Sequence, residues 1–214
     1  MHLRKWGLME DIIEKFKKIP STCAADATDG LNNMDTAIKP LREEYTICGR
    51  AFTVKMPAGD NMSVLRAIRT AEPGSVLVID SKGYTSQSVA GDFVVGLAQV
   101  LGLCGIVVDG SIRDVISIKN SRFPVFCKGS TSSASAKNGG GKINVPISCG
   151  GVSVEPGDII VGDADGVVVV PKDRENEIFA AAHNKLLKDQ ERANTALRSP
   201  AAARAYLDKI LYKD

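Results

Sequence analysis

Within the stretch Gly91–Asp114 (GDFVVGLAQVLGLCGIVVDGSIRD), three residues are of types that could do chemistry together: Asp92, Arg113 and Asp114. A carboxylate is a hard oxygen donor, suited to a divalent cation such as Mg²⁺ or Mn²⁺. The planar fork of an arginine can grip a carboxylate or a keto oxygen. Side by side, Arg113 and Asp114 suit 2-keto acid chemistry, in which the cation polarises the keto group and the arginine stabilises negative charge as an enolate forms. Asp92 stands ahead of Arg113 with twenty residues between them, and could hold a metal-bound water or relay a proton. The backbone N–H groups of Phe93 and Val94 would then face an anion from a helix N-terminus, with Gly91 letting the backbone approach closely. The plainer reading makes Asp92 an N-cap and Arg113-Asp114 a helix-start pair that offsets the helix dipole.

Elements of matching length surround these residues. Phe93, Val94, Leu97, Val100 and Leu101 recur at helical spacing and predict a helix over 93–103. The β-rich run Ile106-Val107-Val108 follows and is expected to break at Asp109-Gly110, with a second helix beginning after Ser111–Asp114. Helix, buried strand and polar turn make half of an α/β unit, in which ligands collect beyond the carboxyl ends of the strands.

Upstream, residues 8–19 predict a helix that stops before Pro20, and Ser21 or Thr22 can cap a short second one. Thr46–Val54 reads as a strand with one polar side, and the turn at 56–61 leads into a helix capped by Asp60 or Asn61. Val76–Ile79 is a continuous apolar strand ending on Asp80, as expected of strands covered on both faces. Downstream, Pro124–Phe126 is a short strand and 129–142 (GSTSSASAKNGGGK) a Ser/Gly-rich loop. Its Gly139-Gly140-Gly141-Lys142 resembles part of a phosphate loop, but Ile143 follows the lysine and no strand precedes it, so a mobile connection is expected. Short strands at 143–147, 151–154, 158–161 and 166–170 come next. The DADG at 163–166 lacks the closing Glu of a calcium loop and reads as a tight turn. A long polar helix over 173–197, with Ile178, Ala182, Leu186 and Ala193 on one face, is followed after Pro200 by an amphipathic segment at 201–212.

Composition removes several classes. The chain has 214 residues, expected to form one domain with a C-terminal helical extension from about 173. No apolar run is long enough to span a membrane and no secretory pattern opens the chain, so a cytoplasmic location is expected. Basic residues number 27 against 25 acidic, interspersed, and aromatics are 5%; this disfavours nucleic acid as a partner. The five cysteines are not spaced as CxxC, which argues against a zinc or redox motif, and Cys104 and Cys127 read as buried thiols. With only two histidines, His2 and His183, imidazole catalysis and a His-ligated metal both become poor fits. Any metal would have oxygen ligands.

The pattern Asp92-(twenty residues)-Arg113-Asp114 within VVDGSIRD resembles the motif of the RraA-like family, which joins 4-hydroxy-4-methyl-2-oxoglutarate aldolases to the regulator of ribonuclease activity A. PAGDN (57–61), PGSVLVID (73–80), FPVF (123–126), GGVSVEPGD (150–158) and GDADGVVVVP (162–171) agree in order, so that the resemblance covers about residues 20–195. It implies an α/β/β/α swivelling-type sandwich, assembled as a homotrimer or homohexamer with each site between neighbouring subunits. It further implies a divalent-metal-dependent class II aldolase that cleaves 4-hydroxy-2-oxo acids to pyruvate and also decarboxylates oxaloacetate. By position, Asp114 would hold Mg²⁺ or Mn²⁺, Arg113 the small 2-oxo acid substrate, Asp92 a metal-bound water, and the Phe93 and Val94 amides the pyruvate carboxylate. An acid on a neighbour's C-terminal helix would complete the site; Asp189 is the nearest match and Glu191 the next. Many members carry an acid three positions after the Asp of the Arg-Asp pair, where this chain has Ser117. The regulator branch implies the alternative, a non-catalytic module that binds a ribonuclease assembly. A menaquinone methyltransferase is not supported, because no glycine-rich S-adenosylmethionine turn follows an early strand.

Overall fold

Val, Ile and Leu dominate the runs at 76–79 and 105–108, and in the computed structural model, which describes residues 11–212, these runs form the centre of a sheet. A two-residue edge strand, β1 (Lys39–Pro40), precedes four longer ones: β2 (Ile47–Lys55), β3 (Val76–Ser88), β4 (Gly105–Ile112) and β5 (Val125–Ser130). The four are mutually parallel in the order β5-β4-β3-β2, with Val76 facing Ala51 on one side and Gly105 on the other. β6 (Lys142–Ile143) pairs antiparallel with the end of β2, and β7 (Ile147–Cys149) with β8 (Val152–Val154) forms a separate hairpin. β9 (Ile159–Asp163) and β10 (Gly166–Val170) extend the sheet antiparallel from the other edge of β2.

The sheet curls until its two ends meet. β1 lies beside β10, and Lys39 Nζ donates to the Asp165 carbonyl at 2.6 Å. Phe126, Val78, Val107, Ile160 and Val169 fill the interior together with Cys149 and Val154 of the hairpin. Outside, α3 (Met62–Thr70), α4 (Asp92–Val100) and α5 (Val115–Ser121) cover the parallel strands over Leu77, Ile79, Ile106 and Val108. On the opposite wall, α1 (Ile12–Phe16), α2 (Ser21–Asp26) and α6 (Glu175–Ala196) cover Ile159, Val161, Val168 and Val170. α7 (Pro200–Leu211) folds back on α6 after Ser199, whose hydroxyl accepts the Ala202 N–H. The result is an α/β fold with a nearly closed, barrel-like sheet between two helical layers. Each fully buried Val, Ile or Leu contributes about 1.5–3 kcal/mol, so the shared central strands are the main source of cohesion.

Several expected boundaries move, each for a visible reason. β4 does not break at Asp109-Gly110. Asp109 is accommodated in the strand by an ion pair with Lys128 (2.7 Å) and by the Gly150 N–H (3.0 Å). Gly110 lets the Tyr84 carbonyl come where a Cβ would stand. β3 likewise continues past Asp80 to Ser88, pairing Tyr84 with Gly110 and Ser88 with Ser111 across register shifts. The strand expected at 143–147 is split into β6 and β7 by Asn144, which has positive φ. The exposed polar side expected on β2 is missing among its first eight residues, all of which are buried or half-buried. At the N-terminus, residues 8–10 of the expected first helix lie outside the described residues. Pro20, not Ser21 or Thr22, is the N-cap of α2, and Ser21 instead gives its N–H and hydroxyl to the Asp163 carboxylate.

The 129–142 loop is tied down, not loose. The buried Asp60 carboxylate accepts the N–H groups of Asn138 (2.5 Å) and Gly139 (3.0 Å) as well as that of Met62 at the start of α3. Ser88 donates its N–H to the Ser133 carbonyl. Cys127 is buried, and burial pushes its thiol up to about 11; Cys104 is half-buried and also pushed to about 11.

Candidate active site

Two chain crossings build the site at the carboxyl ends of β3 and β4. Val89 donates its N–H to the Ser111 carbonyl at 2.8 Å, and Arg113 donates its own to the Ala90 carbonyl at 3.0 Å. The segment leading into α4 is thereby held against the end of β4. Gly91 is the N-cap of α4 and Asp92 its first residue, so Asp92 does not cap as the plainer reading expected. Asp114 is the N-cap of α5, in the left-handed region at φ 57°, and makes no side-chain capping bond. That conformation is uncommon outside glycine, though Asp tolerates it better than most residues. Its effect is to turn the carboxylate away from α5 and back toward α4.

There, Asp114 Oδ2 accepts the Asp92 N–H at 3.3 Å and lies 3.4 Å from Arg113 Nε. A Cβ on Gly91 would collide with Asp114 Oδ2 and press on Arg113 Nε at 3.2 Å. Glycine is required at 91 for close approach, since its φ of −115° is ordinary. The Asp92 carboxylate accepts the Phe93 N–H at 2.7 Å, while no protein acceptor takes the Val94 N–H among the described residues. Of the two amides expected to receive an anion, Val94 is thus open and Phe93 is engaged by Asp92. Asp92 and Asp114 line one shallow depression of about 630 Å³ with Val115, Ile116, Ser117 and Asn120. Arg113 is not among the lining residues; its two-fifths exposed side chain lies against Asp114.

Two carboxylates facing one open depression fit a Mg²⁺-type cation, which commonly takes one or two protein carboxylates and leaves its other positions to water and substrate. Asp114 and Asp92 are the residues that could hold such an ion. No group of three or more His, Cys, Asp or Glu that could together hold a metal ion occurs among the described residues.

Asp189 stands elsewhere in the chain. It lies on α6, in the other helical layer, ion-paired with Lys185 (3.2 Å) and Arg192 (2.8 Å). Glu191 is exposed on the same helix. A single chain therefore gathers Gly91, Asp92, Phe93, Val94, Arg113 and Asp114, and leaves Asp189 and Glu191 out. Sequence reasoning missed the Asp109–Lys128–Asp35 ion cluster beneath β4 and β5, in which Lys128 Nζ also reaches Asp35 at 2.9 Å. A charged residue inside the apolar run VVDG was the available signal, since a buried carboxylate demands a partner.

The fold is therefore an α/β one whose nearly closed, barrel-like sheet carries an Arg-Asp pair and a second carboxylate at its strand ends. The chain belongs to the RraA-like family (Aldolase/RraA), whose profile matches residues 21–169. It is 50% identical over 202 residues to a Halalkalibacterium halodurans protein named "Putative 4-hydroxy-4-methyl-2-oxoglutarate aldolase", covering 94% of this chain and 96% of that one. Among solved structures, an uncharacterized protein from Pseudomonas syringae pv. tomato matches with a TM-score of 0.80 at 25% identity, over 92% of each chain. The RNA-processing inhibitor RraA from Thermus thermophilis matches with a TM-score of 0.66 at 26% identity, over 72% of this chain and 93% of that one. α6 and α7 lie beyond the residues that the family profile matches. No helix among the described residues is long and apolar enough to cross a membrane.

Proposed function

We propose that this protein is a divalent-metal-dependent carbon–carbon lyase of short 2-oxo acids, cleaving 4-hydroxy-4-methyl-2-oxoglutarate-type substrates to pyruvate and decarboxylating oxaloacetate. The observation that carries the reading is the placement of Asp114, turned by its left-handed backbone onto Gly91, Asp92 and Arg113 at the mouth of the depression. The aldolase name of the Halalkalibacterium relative supports it.

In this reading Asp114 would hold Mg²⁺ or Mn²⁺ and Asp92 would orient a water beside it; the ion would supply polarisation of the 2-oxo group. Everything else falls to the chain itself. The Val94 N–H, at the positive end of α4, receives the substrate carboxylate. Arg113 faces the oxygen on which charge collects as the bond to C3 breaks, and its fixed charge favours that state over the ground state. Retro-aldol cleavage also needs an acceptor for the 4-hydroxyl proton. We assign this role to the Asp189 carboxylate of a second copy in a homotrimer or homohexamer, because the same chain's Asp189 is in the other helical layer. Residues 1–214 would then act as one domain, with α6 and α7 as its helical extension.

The test is pyruvate release from oxaloacetate and from 4-hydroxy-4-methyl-2-oxoglutarate, with and without EDTA. Turnover that EDTA abolishes and Mg²⁺ or Mn²⁺ restores, and that Asp114→Ala loses, is expected. Turnover insensitive to EDTA, or equal in Asp114→Ala, overturns the reading. A second reading, a non-catalytic regulator of a ribonuclease assembly, is favoured by the likeness to the Thermus RNA-processing inhibitor. It predicts no turnover with either substrate and co-purification of RNA-degradation proteins from extract.

A further inference from the structure

The glycine-lysine stretch at 139–142, which the proposed chemistry does not use, lines a second concavity. This pocket of about 270 Å³ is formed by Lys55, Lys82 and Lys142 with Met56, Pro57 and the backbone of Gly140 and Gly141. Three lysines therefore line one small space, and none of them makes an ion pair among the described residues.

The arrangement costs stability in two places. Lys55 of β2 and Lys142 of β6 stand directly opposite each other in an antiparallel pair, and like charges directly opposite are destabilising. Lys82 is a non-glycine residue in the left-handed region at φ 61°, fixed there by donating its N–H to the Asp80 carboxylate at 3.0 Å. Such a conformation persists only where the surroundings over-determine it. Gly139 and Gly140 have positive φ, and the N–H groups of Gly140 and Gly141 meet no protein acceptor among the described residues. Cations that repel one another, beside open backbone donors, fit an anion. Lysines act as point charges, and no guanidinium fork lines the pocket to match a planar carboxylate.

We propose that the Lys55/Lys82/Lys142 pocket binds a phosphoryl group, as free phosphate or as the phosphate end of a small metabolite. The bound dianion neutralises the Lys55–Lys142 pair and takes the Gly140 and Gly141 N–H groups. This site is separate from the Asp92/Arg113/Asp114 depression, shares no lining residue with it, and does not depend on the reaction proposed there.

The test is calorimetric titration of the full chain with inorganic phosphate and, separately, with glycerol 3-phosphate, at ionic strength held constant with sodium chloride. Saturable binding of one equivalent per chain is expected. Tighter binding of glycerol 3-phosphate assigns the site to a phosphorylated metabolite, and equal or weaker binding assigns it to free phosphate. Lys82→Asn, which keeps a residue tolerant of positive φ, and Lys142→Gln should each weaken binding about tenfold or more, whereas Lys188→Gln should not. Thermal unfolding supplies an independent sign. Phosphate should raise the midpoint of the parent, while Lys142→Gln should raise it without phosphate and lose the phosphate response. Asp114→Ala should bind phosphate as the parent does, so failure of this proposal and failure of the lyase reading are distinguishable. No saturable binding of either probe, or undiminished binding in the Lys82→Asn/Lys142→Gln double variant, overturns the proposal.

Discussion

Asp114 Oδ2 accepts the backbone N–H of Asp92 at 3.3 Å, joining the start of α5 to the start of α4 across 22 residues of chain. The bond exists because Gly91 leaves room for the carboxylate. Gly91→Ala would put a methyl group where Asp114 Oδ2 now lies. Asp114 must then swing out or the α4 terminus must retreat. Pyruvate-forming turnover is expected to fall about 100-fold, because misplacing a reacting group by about 1 Å costs that much. The loss of stability should be about 1–3 kcal/mol, as for a modest overpacking. Steady-state kinetics beside a denaturant melt separate the two effects, and full activity in Gly91→Ala would show that the Asp114 position is not critical.

Arg113 is held by its own backbone, N–H to the Ala90 carbonyl, while its side chain stays two-fifths exposed beside Asp114. It is free to meet a ligand from a fixed origin. Arg113→Lys keeps the charge but not the planar fork. Its expected signature is a loss of kcat/KM of about 10- to 1000-fold for 2-oxo acids with an unchanged melting temperature, since exposed surface changes seldom exceed about 0.5 kcal/mol. Kinetics on oxaloacetate check this, and parent-like kcat/KM would remove Arg113 from the substrate site.

Asp60 ties the 129–142 loop to α3. Burial pushes its carboxyl up, but the N–H groups of Met62, Gly139 and Asn138 outweigh that and hold it below the ordinary carboxylate range. A carboxyl with a folded value below its unfolded one stabilises fully above the unfolded value, roughly pH 4. That stabilisation fades as pH falls through the folded value. The parent should therefore lose stability on acidification below about pH 4–5 more steeply than Asp60→Asn, which has no charge to titrate. At pH 7, Asp60→Ala should cost about 2–4 kcal/mol, leaving three N–H groups without their charged acceptor. Urea melts at several pH values measure both, and parallel pH profiles for parent and Asp60→Asn would sink the assignment.

What could be read in advance follows from range along the chain. Arg113 and Asp114 were legible because local periodicity puts both just past the carboxyl end of one strand, and Asp92 because it opens the helix that leads into that strand. The central apolar strands were legible for the same reason. Their true lengths were not: β3 and β4 run on through Asp80 and Asp109 because Lys128 and Gly150, distant in sequence, satisfy Asp109. The order of the loop at 129–142 was equally hidden, since composition says Ser/Gly-rich while Asp60, 78 residues before Asn138, fixes it. Pairing β6 against β2 places Lys142 opposite Lys55, and no local pattern announces that. Long-range partners, not propensities, account for what the sequence concealed.

Asp189 poses the sharpest remaining question, because its carboxylate is ion-paired to Lys185 and Arg192 on α6, in the helical layer opposite α4 and α5. If it completes a site, it does so in another copy, and the face around the Asp92/Asp114 depression must be an interface. Phe93, Val100 and Ile116 on that face are each at least three-quarters exposed, an apolar cluster suited to burial against a neighbour. Genetic complementation decides the matter. Asp114→Ala and Asp189→Ala are each expected to be nearly inactive alone. When the two are unfolded together, mixed in equal amounts and reassembled, a site built from two copies draws an intact Asp114 from one variant and an intact Asp189 from the other. Random assembly into a ring makes about one site in four whole, so the mixture should recover about a quarter of parent activity, with neither variant recovering any by itself. No recovery, with each variant alone confirmed as assembled and inactive, would overturn a site that draws Asp189 from a second copy. An active Asp189→Ala would shift the role to Glu191, which the same experiment with Glu191→Ala then tests.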